Sequence, residues 1–114
     1  MKVVINTDFG GFGLSNKAIC RYLELSGIEY QTKVEKYNTY FYHKGFVGND
    51  SYIIDEYKFE RNDIFLVKTV EELAEEANSA YSSLKVVEIP DDIKYTIEDY
   101  DGREHIAEAH RTWY

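Results

Sequence analysis

The hydrophobic pattern at the start of the chain predicts a strand, a glycine-rich turn and a helix. Residues 2–6 are rich in β-branched side chains, which favours a strand, and three glycines follow within residues 10–13. Ser15 is a good N-cap, apolar side chains then recur at helical spacing, and Gly27 suits the end of a helix. We therefore predict the first helix at residues 16–26.

The centre of the chain is rich in aromatic side chains. Residues 28–34 alternate in the manner of a strand, whereas residues 35–62 mix rings with charges and predict a loose hairpin that turns near residues 45–50. Asp63 is a candidate N-cap for a second helix at residues 64–80, whose apolar stripe would face the core. The solvated face of that helix carries Glu71, Glu72, Glu75 and Glu76.

The last third of the chain predicts strands and a tight turn. Residues 84–89 favour a strand that is closed by Pro90, and two strand-like runs then flank the sequence Tyr-Asp-Gly-Arg at residues 100–103. Asp-Gly between two such runs is a strong signal for a β-hairpin. We expect an α+β fold over one domain, residues 1–114, with two helices packed on one face of a mostly antiparallel sheet. Its strands are predicted at residues 2–6, 84–89, 94–99 and 104–109, with the middle hairpin extending the sheet or forming a dimer contact.

Composition and charge narrow the classes of function. Thirteen Lys and Arg against 21 Asp and Glu give a net charge of −8, which argues against general nucleic-acid binding and binding to anionic membranes. Cys20 is the one cysteine, and no Cys or His spacing resembles a zinc site. The first apolar run is too short for a signal peptide or a membrane span. We expect a protein of the reducing cytoplasm with no metal, disulfide or cofactor.

The glycine-rich turn is the first candidate site. A strand, a glycine turn and a helix can present free backbone N–H groups to an anion such as phosphate. The glycine spacing matches neither the dinucleotide-binding fingerprint nor a P-loop. The competing interpretation is a tight turn with Phe9 and Phe12 packed into the core or an interface. The candidate ligand-binding residues here are Asn6, Thr7, Phe9, Gly10, Gly11 and Phe12.

The carboxy-terminal strand is the second candidate site, with Arg103, His105, Arg111 and Trp113 as ligand-binding candidates. In an extended strand His105 and His110 face opposite sides, which argues against a shared metal ion or a catalytic pair. Arg111 beside small residues could bind phosphate or carboxylate through two hydrogen bonds, with Trp113 as a stacking surface. The competing interpretation is a solvent-facing strand with ordinary ion pairs.

The two ends of the chain resemble a family of small proteins encoded in bacteriophage genomes. The resemblance rests on V-V-I-N-T-D-F-G-G-F-G-L-S at the start and on V-V-E-I-P-D-D, Y-D-G-R-E-H-I and H-R-T-W at the end. It covers residues 1–27 and 63–113 and brings no catalytic or binding residue with it. What it implies is a phage accessory protein in the cytoplasm of a bacterial host, where small acidic proteins often counter host defences.

These observations predict a counter-defence protein that sequesters a small anionic nucleotide-type signalling molecule without catalysis. The alternative is an acidic inhibitor that binds a host protein, in one form by mimicking nucleic acid. A phosphodiester-cleaving enzyme is a third hypothesis, for which the sequence assembles no nucleophile and base. The expected partners are therefore a small nucleotide-type ligand or a host defence protein, with self-association left open. The sequence also leaves open whether the glycine turn and the carboxy-terminal strand form one site.

Overall fold

The computed structural model of the protein describes residues 1–108. Within this range the chain forms two α-helices and six strands, so the predicted α+β class is confirmed. The elements are β1 (Lys2–Asn6), α1 (Asn16–Ser26), β2 (Tyr30–Glu35), β3 (Asn38–His43), α2 (Ile64–Leu73), β4 (Leu84–Glu88), β5 (Tyr95–Tyr100) and β6 (Arg103–Glu108). Short 3-10 helices lie at Asp50–Tyr52, Glu56–Lys58 and Ala74–Ala77.

The strands form three antiparallel pairs, β1 with β4, β2 with β3 and β5 with β6. The antiparallel prediction is confirmed, but the four strands expected in one sheet lie in two separate pairs. The reason is visible at the edge of β1 that faces β6. There the Val4 N–H donates to the Arg61 carbonyl at 2.8 Å and the Asn6 N–H donates to the Glu104 carboxylate at 2.8 Å. These partners occupy the donors that a neighbouring strand would need.

Helix α1 has the predicted bounds because both of its ends are set by local hydrogen bonds. Ser15 accepts a hydrogen bond from the Ala18 N–H at its start, and Gly27 adopts a left-handed φ of 73° at its end. The buried face of α1 contacts α2 to form the centre of the core. The buried core cluster contains Val4, Phe12, Leu14, Ala18, Ile19, Tyr22, Leu23, Phe41, Leu66, Val67, Val70 and Ala77.

Helix α2 begins where predicted and ends earlier. Asp63 caps it by accepting from the Phe65 N–H at 2.8 Å. The α-helix stops at Leu73 because Ala74 has a φ of 51°, and the 3-10 helix that follows ends at Ala77. The predicted end at residue 80 is therefore wrong. Three glutamates of this segment form ion pairs with other parts of the chain: Lys2 with Glu71, Arg21 with Glu72 and Lys17 with Glu76.

The middle of the chain makes two reversals where the sequence predicted one. The predicted turn near residues 45–50 exists, because Tyr42 and Ile53 form an isolated antiparallel bridge across it. The tighter reversal is the two-residue loop between β2 and β3, where Lys36 has a φ of 51°. The predicted β5–β6 hairpin is confirmed, with positive φ at both Asp101 and Gly102. Among residues 1–108, every helix is too short or too polar to cross a membrane.

Candidate functional site

The glycine turn and the β5–β6 hairpin meet at one end of the molecule. The Asn6 side-chain amide donates to the Gly102 carbonyl at 2.7 Å. A Cβ atom at Gly102 would overlap the Phe9 carbonyl oxygen and the Gly11 nitrogen, so the two turns are in close contact. The Arg103 guanidinium lies 5.7 Å from the centre of the Phe9 ring. The two candidate segments are therefore neighbours in space.

Asn6 holds these turns together from inside the protein. Its side chain is fully buried, and its amide also donates to the Asp8 carbonyl at 2.7 Å. Its amide oxygen accepts from the backbone N–H of Asp8 at 3.2 Å and of Ser83 at 2.9 Å. Both the NH2 group and the oxygen of the amide are engaged within the chain. Asn6 therefore links β1, the start of β4 and the β5–β6 hairpin structurally.

Beneath the turns lies an ion pair that the sequence did not single out. Glu104 and Arg61 form a bidentate pair, with guanidinium to carboxylate distances of 2.6 and 2.8 Å. Arg61 also donates to the Val4 carbonyl at 3.2 Å, and its guanidinium stacks 3.6 Å above the Phe12 ring. Glu104 is buried, and it shares the inward face of β6 with Ile106. Because alternate residues of a strand share a face, the apolar Ile106 two positions on was the sequence signal that could have indicated a buried Glu104.

The backbone of the glycine turn is bound by carboxylates of the chain itself. Asp8 accepts from the Phe9 N–H at 2.7 Å, and Glu56 accepts from the Leu14 N–H. Burial raises the pKa of Glu56 above its ordinary value, while the Leu14 N–H opposes that rise. Two backbone donors, one at each end of the turn, are thus engaged by carboxylates of the chain itself.

The surface above these contacts carries aromatic rings, one arginine and several carboxylates. Phe9, Tyr81 and Tyr100 are 54%, 74% and 76% exposed. A Cβ atom at Gly10 would overlap Tyr81, and Tyr100 is paired with Arg103 across the hairpin, so the rings border the same turns. We name this surface the loop end, defined as Asp8, Phe9, Gly10, Gly11, Tyr81, Asp99, Tyr100, Asp101 and Arg103.

The remaining candidates have other positions. Thr7 pairs with Ser83 through its backbone N–H at 2.8 Å and its hydroxyl at 3.0 Å, and Phe12 is buried in the core. His105 lies on the exposed face of β6, 3.0 Å from the Glu98 carboxylate. Arg111 and Trp113 lie outside the described residues, as does His110. Phe12 thus follows the tight-turn interpretation, whereas Phe9 remains exposed.

Two surface hollows lie away from the loop end. One, of about 430 Å³, is lined by Met1, Lys2, Asn62, Ile64, Val67 and Glu71. The other, of about 390 Å³, is lined by Leu23, Glu24, Gly27, Ile28, Glu29, Tyr30 and Lys44. Neither contains a residue of the loop end. Within residues 1–108, no three His, Cys, Asp or Glu side chains are grouped so as to hold a metal ion.

Comparison with known proteins leaves the chain without a match: no family model, curated protein or solved structure is similar to it.

Proposed function

We propose that this chain is a phage accessory protein that binds a host defence protein through the loop end and covers a basic surface of that partner, without catalysis. The setting comes from the resemblance of the two ends of the chain to phage-encoded proteins. The binding mode is supported by the character of the loop end and by the net charge of −8.

The observation that carries the proposal is the juxtaposition of exposed rings and carboxylates. Tyr81, Tyr100 and Phe9 offer large side chains of low conformational entropy, which are frequent anchors in protein interfaces. Asp8, Asp99 and Asp101 are exposed, and each is next to Phe9 or Tyr100 in the chain. An interface of aromatic anchors with an acidic rim is complementary to a basic protein surface.

The loop end suits a protein partner better than a small anion. The N–H of Phe9 in the loop end is engaged by the Asp8 carboxylate, and the N–H of Leu14, at the far end of the glycine turn, is engaged by Glu56. A phosphate that approached the turn would meet these negative charges, whereas Lys or Arg side chains of a protein would be attracted by them.

A second candidate function is sequestration of a nucleotide-type molecule, and one contact favours it. The Arg103 guanidinium and the Phe9 ring lie 5.7 Å apart on the surface. A ring and a guanidinium at this separation could stack on a base and bind a phosphate of the same ligand.

The test is retention of host proteins on immobilised chain, with two variants compared with the parent protein. Phe9→Ala combined with Tyr100→Ala removes two anchors of the loop end. Tyr37→Ala is the matched control, because Tyr37 is 100% exposed on a different hairpin. We expect the parent and Tyr37→Ala to retain the same host protein and the double variant to lose it. Added salt should release that protein from the parent. Equal retention by all three would refute the proposal.

The same preparations separate the two candidates. The protein, purified from cells that express nucleotide-signalling defences, is denatured and the released small molecules are analysed by mass spectrometry. If the parent protein releases a stoichiometric nucleotide and Arg103→Ala releases none, nucleotide sequestration is the function and the protein-binding proposal is wrong. Protein preparations without nucleotide that retain a host protein support the first candidate.

A further inference from the structure

Strand β2 has one backbone edge that no other described strand uses. The two-residue loop after β2 is closed by the pair Glu35 and Asn38, so the N–H and C=O groups of Glu35 are directed at β3. The same alternation holds at the other end of the hairpin, where the odd-numbered residue Glu29 also bonds toward β3: its carbonyl accepts from the Lys44 N–H at 3.2 Å. The backbone groups of the alternate residues, Tyr30, Thr32 and Val34, are therefore directed away from β3.

The unused edge is exposed to solvent. Thr32 is exposed and the Val34 side chain is 70% exposed, although Val34 is apolar and lies in a regular strand. Within residues 1–108 the only strand paired with β2 is β3. An extended strand with free N–H and C=O groups and an exposed β-branched side chain is a template for pairing with another strand.

We propose that β2 pairs with β2 of a second copy of this chain, antiparallel, with the two-fold axis at Thr32. The two hairpins then form a four-stranded sheet in the order β3, β2, β2 of the second copy and β3 of the second copy. Tyr30 of each chain lies opposite Val34 of the other, and Thr32 lies opposite its own equivalent. An isologous contact of this kind closes on itself and gives a dimer.

The register follows from the backbone groups that are free. With the axis at Thr32, all three outward-directed residues lie opposite outward-directed residues of the same extended strand. With the axis at Gln31, Val34 would lie opposite Ile28 of the second copy, and its carbonyl would have to accept from the Ile28 N–H. That N–H already donates to the Leu23 carbonyl of its own chain at 3.0 Å. The axis at Thr32 leaves every required donor available.

Registers closer to the β2–β3 loop are less favourable. With the axis at Lys33, two lysines would lie directly opposite each other, which is destabilising. With the axis at Val34, Thr32 would face Lys36 of the second copy. Lys36 has a φ of 51° in the loop and does not continue the strand. The pairing would then be limited to the last residues of β2.

One side-chain contact favours the same register. The Tyr30 ring covers Val34 of the second copy, which removes an exposed apolar side chain from water. Gln31 lies opposite Lys33 of the second copy, a neutral pairing. Glu29 and Glu35 of the two copies lie opposite each other at both ends of the pairing, which opposes it. The nearby lysines, Lys44 at 3.9 Å from Glu29 and Lys33 at 2.9 Å from Glu35, offset part of this repulsion. The interface is small, so we expect a weak dimer.

Disulfide trapping tests the register. In a Cys20→Ala background, which removes the native cysteine, Thr32→Cys places two thiols about 5.5 Å apart between Cα atoms, within the range of a disulfide. Val34→Cys is the matched variant, because its two copies would be about 14 Å apart along the strands. With oxidised glutathione as the oxidant, we expect covalent dimer from Thr32→Cys and little from Val34→Cys. Absence of dimer from Thr32→Cys, or equal yields, would overturn the proposal.

Sedimentation velocity over micromolar to millimolar concentrations tests association of the unmodified protein. We expect a concentration-dependent dimer that Val34→Lys weakens by about tenfold or more, because a charge on an edge strand opposes pairing. Tyr37→Lys adds the same charge to the same hairpin outside the pairing and should leave the dimer unchanged. A monomer at every concentration, or equal effects of the two lysine variants, would contradict the pairing.

Discussion

Arg61 binds the Glu104 carboxylate through two hydrogen bonds of 2.6 and 2.8 Å and thereby joins positions that are 43 residues apart. Glu104 accepts in addition from the Asn6 N–H, and the same guanidinium donates to the Val4 carbonyl. The pair thus replaces a neighbouring strand along the edge of β1 and supports the turns of the loop end from below.

Glu104→Gln should lower the free energy of unfolding by about 3 kcal/mol, because it leaves a half-buried Arg61 without its counter-charge. Glu98→Gln is the matched control on the same hairpin, since Glu98 is exposed and faces His105. We expect the control to change stability by less than about 0.5 kcal/mol. Urea unfolding of both variants measures the difference, and similar losses would show that the Arg61 pair contributes no more than a surface contact.

Gly102→Ala should destabilise the protein more than Gly45→Ala. The two glycines have nearly equal φ values, 89° and 90°, so both alanines incur a conformational cost of about 1 kcal/mol. Only at Gly102 would the new Cβ atom also overlap the Phe9 carbonyl oxygen. We expect the loss at Gly102 to be at least twice that at Gly45 in thermal unfolding. Equal losses would mean that the two turns of the loop end are not in contact.

The stability of Glu56→Gln relative to the parent should depend on pH. Burial raises the pKa of Glu56, so the folded protein takes up the proton more readily than the unfolded chain. The ionised carboxylate therefore costs stability above the folded pKa, and the cost falls as pH drops through that pKa. We expect Glu56→Gln to melt higher than the parent at neutral pH, with the gap closing in acid. A variant that melts lower at neutral pH would show that the Leu14 N–H dominates.

Lys36→Gly should stabilise the β2–β3 hairpin. Lys36 has a left-handed φ of 51°, which glycine adopts without the steric cost that a side chain incurs. After the greater freedom of glycine in the unfolded chain is subtracted, we expect a gain of about 0.5 kcal/mol. Lys33→Gly, inside β2, should instead lose about 0.5 to 1 kcal/mol. Thermal unfolding compares them, and a loss with Lys36→Gly would show that its side chain stabilises the loop.

Elements whose ends are set by neighbouring residues could be predicted from the sequence. Helix α1 lies between Ser15 and Gly27 because the cap residues satisfy the free groups of the same helix. The β5–β6 hairpin turns at Asp101 and Gly102 because these residues tolerate positive φ. Helix α2 was predicted too long, because the alanines and glutamates around position 74 give no sign of the positive φ at Ala74 that ends the helix.

The candidate site was predicted only in part. Phe9, Gly10, Gly11 and Arg103 were selected from the sequence and do lie together. Arg61 and Tyr81 were missed because they reach the same end of the molecule from distant parts of the chain. The sequence also left open whether the glycine turn and the carboxy-terminal strand form one site. The close approach of Gly102 to Phe9 makes the turn and the start of that strand neighbours in space.

The sequence by itself determined the α+β class, the capped helix α1 and the Asp-Gly hairpin, because each depends on interactions between residues close in the chain. Only the tertiary structure decided that β1 pairs with β4, that Glu104 is buried against Arg61 and that the six strands within residues 1–108 form three separate pairs. These outcomes depend on which distant groups satisfy the backbone and the buried charges. Hydrophobic periodicity records which side of an element is buried, but it does not record the partner.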